Sequence, residues 1–315
     1  MGFAFVFPGQ GSQSVGMLGE LAAASPAIAA SFAEASEALG YDLWELVRQG
    51  PEATLNQTAC TQPAMLAAGV ATWRLWQERG GAPPQVLAGH SLGEFTALVC
   101  AGALEFPAAI SLVRARGELM QAAVPQGSGA MAAILGLEDA EVEAACREAA
   151  EGAVVAAANY NAPGQVVIAG ESAGVERAIA AARARGAKRA VLLPMSVPAH
   201  SSLMVKAAAA LRERLAGVSL RAPAIRFVSA VDATEHADPA DLRALLVRQL
   251  SSPVRWTDTL RALATRDVAQ VIECGPGKVL TGLNRRIERR EGLSFLALEE
   301  PASVEAALAA TRGGQ

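Results

Sequence analysis

The sequence predicts an α/β protein: a large domain with a parallel sheet at its core and a smaller unit inserted into it. Short apolar runs alternate with longer segments of helical period, the signature of layered α/β architecture. One of those runs, Gln85–Ala88, leads through a tight turn into a helical stretch. Between Ala130 and Leu193 the rhythm changes to a compact β-α-β-α-β series. A chain of 315 residues can hold one large domain carrying such an insertion.

In order, Phe3–Phe7 reads as a first buried strand, followed by a Gly/Gln/Ser loop at Pro8–Ser14. Ser25-Pro26 gives a helix start in cap-then-proline order. Gln62–Glu78 is an amphipathic helix closed by Gly80-Gly81, Gln85–Ala88 a second strand, and a helix opens near Gly93. Another helix is expected over Pro107–Gln121. Ala130–Leu135, Gln165–Ala169 and Lys188–Leu193 read as strands of the inserted unit, with helices at Asp139–Ala150 and Ala173–Arg185. The series fits a small ferredoxin-like unit. Val268–Cys274 is a late strand ending in Gly275-Pro276-Gly277. The expected units are 1–125 with 197–315, and 126–196 inserted between them.

Hydrophobic residues at 52% and charged residues at 18% suit a folded core. A net charge of −4 argues against a general nucleic-acid binder. Cys60, Cys100, Cys146 and Cys274 are scattered and form no C-x-x-C pair, so reduced thiols are expected and no disulfide frame or metal site. The Phe3–Phe7 run stops at Pro8-Gly9 with no basic segment before it, so no leader peptide is expected. No uninterrupted apolar stretch is long enough for a bilayer. A cytoplasmic protein with no membrane partner is expected.

Gly89-His90-Ser91-Leu92-Gly93 is a G-x-S-x-G motif between a strand and a helix, the setting of a nucleophile elbow. The large domain is accordingly expected to be α/β-hydrolase-like. The flanking glycines permit the sharp turn, and the helix N-terminus favours developing negative charge. The plainer reading is a glycine-rich turn with an incidental serine. A serine nucleophile needs a base. His90 adjoins Ser91 and should point away from it; His236, in Thr234–Pro239, suits an exposed loop. Elimination favours His200, in Val197-Pro198-Ala199-His200. The carboxylates between Ser91 and His200, among them Glu138, Asp139, Glu141, Glu143 and Glu171, offer no convincing third member of a triad.

These residues resemble the malonyl-CoA:acyl carrier protein transacylases and the related acyltransferase domains of fatty-acid and polyketide synthases. Phe7-Pro8-Gly9-Gln10-Gly11-Ser12-Gln13, Gly89–Glu94, Arg116-Gly117 with Met120-Gln121, Val197–His200, Gln249-Leu250 with Pro253-Val254, and Glu273–Gly277 match that family in order along nearly the whole chain. The resemblance implies Ser91 as nucleophile and His200 as base, with a backbone carbonyl at Gln249 orienting His200. It implies an oxyanion hole from the amides of Gln10 and Leu92, and Arg116 pairing with the malonyl carboxylate. The residues alone do not separate Arg116 from Arg114. Ala199 departs from the Ser or Phe that the family often carries before this histidine, a position tied to acyl-group choice. Leu92 matches malonyl rather than methylmalonyl enzymes.

The function implied is malonyl transfer from malonyl-CoA to the phosphopantetheine thiol of an acyl carrier protein, by a monomer and without a cofactor. The alternative is an α/β-hydrolase-type esterase or thioesterase, which needs a triad carboxylate and no Arg116. Two basic clusters, Arg183/Arg185/Lys188/Arg189 and Arg285/Arg286/Arg289/Arg290, suit coenzyme A phosphates or an acidic carrier, with Arg189 and Arg286 the contacts singled out.

Overall fold

Alternation along the first strand settles the layering. Successive side chains of a strand face opposite sides. In β1 (Gly2–Phe7), Phe3, Phe5 and Phe7 join one cluster while Ala4 and Val6 join another. The Phe5 ring meets Trp73 and Trp76 edge-on, with centroids 5.7 and 5.1 Å away, so this face is covered by the helix Thr58–Glu78. The opposite face packs on Trp256 and Leu260 of the helix Trp256–Ala264. A strand buried on both faces belongs in the middle of a parallel sheet. Each buried Phe contributes about 1.5–3 kcal/mol to holding it there.

The computed structural model describes residues 2–195 and 197–312; Met1, Ser196 and residues 313–315, at the limits of the expected units, lie outside the described residues. The remaining strands are β2 (Val86–Gly89), β3 (Gly129–Leu135), β4 (Val155–Ala162), β5 (Gln165–Glu171), β6 (Arg189–Leu192), β7 (Arg226–Val228), β8 (Val268–Glu273) and β9 (Ser294–Ala297). One sheet runs β7-β2-β1-β8-β9 with every neighbour parallel. The other runs β4-β5-β3-β6 and is antiparallel throughout. With helices Asp139–Ala149 and Ser172–Ala184, the second sheet forms a β-α-β-β-α-β ferredoxin-like unit.

Four details differ from the sequence reading. β4 lies where no strand was expected, because its sequence VAAANYNA is built from Ala and Asn, poor strand formers. Pairing with β5 through the turn at Pro163-Gly164 imposes the extended form instead. β7 and β9, of 3 and 4 residues, are too short to register as runs. The long helix starts at Thr58, not Gln62, and carries Pro63 inside it.

Parallel strands deliver their following loops to one edge, where α/β sheets bind ligands. Here β1 delivers the Pro8–Ser14 loop, β2 the elbow and β8 the Gly275-Pro276-Gly277 turn.

Candidate active site

The elbow is forced by contact. A Cβ on Gly93 would sit 2.0 Å from the Phe7 carbonyl oxygen, and one on Gly89 2.0 Å from the Gly93 carbonyl carbon. Only glycine lets β2 turn this tightly into the helix Gly93–Cys100. Ser91 between them has φ 52°, the left-handed region. Such a conformation costs a non-glycine residue about 1–3 kcal/mol and survives only where its surroundings impose it. It lifts the hydroxyl out of the turn.

His200 is held in the same region, at φ 62°. Its N–H donates to the Leu250 carbonyl at 3.0 Å, tying the loop to the short turn Gln249–Ser251. Nε2 lies 2.8 Å from Ser91 Oγ, and Nδ1 lies 2.8 Å from the Gln249 carbonyl oxygen and 3.1 Å from that of Ser252. Two carbonyl acceptors require the proton on Nδ1, which leaves the Nε2 lone pair facing the serine hydroxyl. Burial, reinforced by the Arg116 charge, pushes the imidazole down to about 3, so it is neutral at neutral pH. The expected absence of a triad carboxylate has its physical counterpart in those two carbonyls. His90 turns to Asn161, with Nε2 2.8 Å from Oδ1. His236 is not the exposed loop residue expected: it is half-buried, with Nε2 3.1 Å from Asp232 Oδ1 and 2.8 Å from Thr234 Oγ1.

Arg116 and Arg114 separate clearly. Arg114 pairs with Glu118 on the exposed side of its helix and donates to the Leu39 carbonyl. Arg116 is 1% exposed. Its Nη1 donates to Gln62 Oε1 at 2.8 Å, and its Nη2 to Gln249 Oε1 at 2.8 Å and Ser91 Oγ at 3.3 Å. Its Nε has no partner among the described residues. Burial lowers its pKa to about 10, still cationic at neutral pH. A buried guanidinium held by neutral amides, with donors to spare, is set up to receive a carboxylate.

Ser91, His200 and Arg116 line a cavity of about 510 Å³ between the two sheets. Gln10 and Leu92 line it too, and neither backbone N–H donates to a backbone acceptor among the described residues. Met131, Ala133 and Val167 of the antiparallel sheet form the facing wall. Arg286 and Arg189 are exposed and outside the cavity lining, but Arg286 bonds Gln165, which is part of that lining. Their neighbours are committed elsewhere: Arg185 to Glu141 and Glu148, Arg290 to the Ala264 and Val268 carbonyls. Among the described residues no group of His, Cys, Asp or Glu could hold a metal ion, and no helix is long and apolar enough to cross a membrane.

Sequence reasoning missed Gln62, Glu94 and Asn161. Glu94 sits in the first turn of the elbow helix, 1% exposed, bound by Ser229, Ala230 and Gln249. Its place in the elbow motif was the one available signal.

Residues 4–294 match the acyl transferase domain family. The malonyl CoA-acyl carrier protein transacylase of Salmonella typhimurium is 56% identical, covering 97% of this chain and 98% of its own. An acyl carrier protein S-malonyltransferase from Vibrio cholerae superposes with TM-score 0.94 at 53% identity, over 98% of this chain and 100% of its own. A malonyl-transacylase solved in complex with a type II polyketide acyl carrier protein superposes with TM-score 0.96 at 52% identity, over 98% of this chain and 100% of its own. With an elbow serine and a buried arginine facing one cavity, and relatives matched along nearly their whole length, the chain belongs to the acyl transferase family, alongside its malonyl CoA-acyl carrier protein transacylases.

Proposed function

We propose that this enzyme moves a malonyl group from malonyl-CoA to the phosphopantetheine thiol of an acyl carrier protein, through a malonyl ester on Ser91. The observation that carries this reading is the Ser91–His200 pair, at 2.8 Å, beside the buried Arg116 cation, which reaches the same hydroxyl at 3.3 Å. Ser91 Oγ gives its proton to His200 Nε2 and attacks the thioester carbonyl. The amides of Gln10 and Leu92 receive the oxyanion. Arg116 grips the free carboxylate of the acyl group. The intermediate collapses by breaking the carbon–sulfur bond, and His200 returns the proton to the leaving thiolate. The carrier thiol then gives its proton to His200 and attacks the ester, and Ser91 leaves reprotonated.

A hydrolase reading lacks its carboxylate: Nδ1 of His200 faces carbonyls. In this reading units 1–125 and 197–315 supply the chemistry, and 126–196 closes the cavity. Exposed Arg189 and Arg286 steer coenzyme A or the carrier toward it, and the enzyme works as a cytoplasmic monomer without a cofactor. Mixing with malonyl-CoA should add one malonyl mass to the intact protein, and Ser91→Ala should abolish the adduct. An adduct that survives in Ser91→Ala moves the nucleophile elsewhere.

A further inference from the structure

We infer that Glu94 is a positioning residue: it fixes the direction of the Gln249 side-chain amide and so keeps Arg116 aligned and available for a carboxylated acyl group. This rests on the malonyl-transfer reading and deepens it.

A glutamine amide has a donor end and an acceptor end of nearly equal shape, so its direction is set by its partners. Gln249 Oε1 accepts from Arg116 Nη2 at 2.8 Å. Gln249 Nε2 donates to Glu94 Oε2 and, at 2.9 Å, to the Ser91 carbonyl. Turned over, the amide would press its own N–H against the guanidinium N–H. An ionised carboxylate accepts and cannot donate, so Glu94 admits one sense only. It is itself immobilised, with Oε1 accepting from Ser229 Oγ at 2.8 Å and Ala230 N at 2.6 Å. The Ser91 carbonyl favours the same sense as a neutral acceptor, which is the weaker partner.

The spacing also matters electrostatically. A buried cation needs a counter-charge. If Glu94 met Arg116 directly, the two-pronged face of the guanidinium would be consumed and the pocket would be neutral before substrate arrived. One amide between them lets Glu94 support the Arg116 charge while leaving N–H groups uncommitted, the unpartnered Nε among them.

Removing the Glu94 charge also removes some repulsion toward an incoming malonyl carboxylate, so geometry and charge oppose each other. Geometry should prevail, because a bidentate contact is lost when the clamp moves by about 1 Å. Burial pushes Glu94 up to about 7. It is therefore ionised above that pH, and the alignment weakens as pH falls through it. The charged groups acting on Glu94 are Arg116 from its helix and Asp232 from the turn after β7; Asp232 is held low by Thr234, His236 and Arg248. His200, at about 3, titrates outside this window. Glu273, also raised to about 7, caps the helix Val279–Ile287 and should act equally on any thioester.

The test is kcat/KM for acylation by malonyl-CoA and acetyl-CoA, with the melting temperature of each variant. Glu94→Gln keeps the shape but sets a donor against Gln249 Nε2. The malonyl-to-acetyl ratio should fall about tenfold. In the wild type the ratio should decline as pH drops from 8 to 6, and in Glu94→Gln it should be flat. Equal losses on both thioesters, with an unchanged ratio and pH dependence, make Glu94 a structural residue and overturn the inference. A raised ratio makes it a simple counter-charge and overturns it too. If Glu94→Gln fails to fold, the exchange Glu94→Gln with Gln249→Glu restores a donor–acceptor pair while placing the carboxylate directly on Arg116. The ratio should then collapse, and a retained malonyl preference refutes the spacing argument. A wild-type enzyme that itself shows no malonyl preference would instead overturn the malonyl reading.

Discussion

Replacing Arg116 by alanine should separate malonyl from acetyl transfer. The side chain is fully buried, held by Gln62 Oε1 and Gln249 Oε1, and reaches Ser91 Oγ. Without it a malonyl carboxylate enters the cavity unpaired, a loss of about 2–5 kcal/mol. At about 1.4 kcal/mol per tenfold, kcat/KM for malonyl-CoA should fall roughly thirtyfold to several thousandfold. Acetyl-CoA never makes the contact and should lose little. Three acceptors, Gln62 Oε1, Gln249 Oε1 and Ser91 Oγ, lose their donor in the variant, so its melting temperature is measured alongside its rates. Quenched-flow acylation with both thioesters, read by intact mass, decides the matter. Arg114→Ala, on the exposed face of the same helix, is the control and should leave the ratio alone. An unchanged malonyl-to-acetyl ratio in Arg116→Ala refutes the carboxylate clamp.

His200→Ala should slow acylation by about a hundredfold or more, as loss of a general base does. His236→Ala, which breaks only the contacts to Asp232 and Thr234, should leave the rate nearly unchanged, and the reverse ranking overturns the assignment of the base. Gly93→Ala drives a Cβ into the Phe7 carbonyl and should destabilise the fold by about 4 kcal/mol or more in urea titration; a stable, active Gly93→Ala contradicts the packing described for the elbow.

What could be read from the sequence is what local sterics encode. The elbow is legible because only glycine fits at 89 and 93, and β1 because alternating Phe, Ala and Val commit it to two faces. His200 emerges by elimination because the chain holds only 3 histidines. β4 was illegible because its extended form comes from its neighbour, not from its own alanines and asparagines. Gln62 and Gln249 lie 54 and 133 residues from Arg116, and nothing in their local sequence points at it. Arg116 and Arg114 become distinct only when the helix is seen to bury one and expose the other. The carbonyl of Gln249 is invisible to residue-type reasoning, since every residue has one, and only family resemblance pointed to it.

That carbonyl has a further consequence. His200, the base of the proposed mechanism, is oriented by the path of the main chain, so there is no side chain whose removal deletes the orienting group. Alanine scanning at 249 or 252 leaves both oxygens in the sequence and reports only on the neighbouring amide. To the geneticist the machinery would look like a dyad, its third member exposed only by a change that shifts the turn Gln249–Ser251, such as an insertion or a proline. The turn as a whole, rather than any one residue in it, is the inheritable unit.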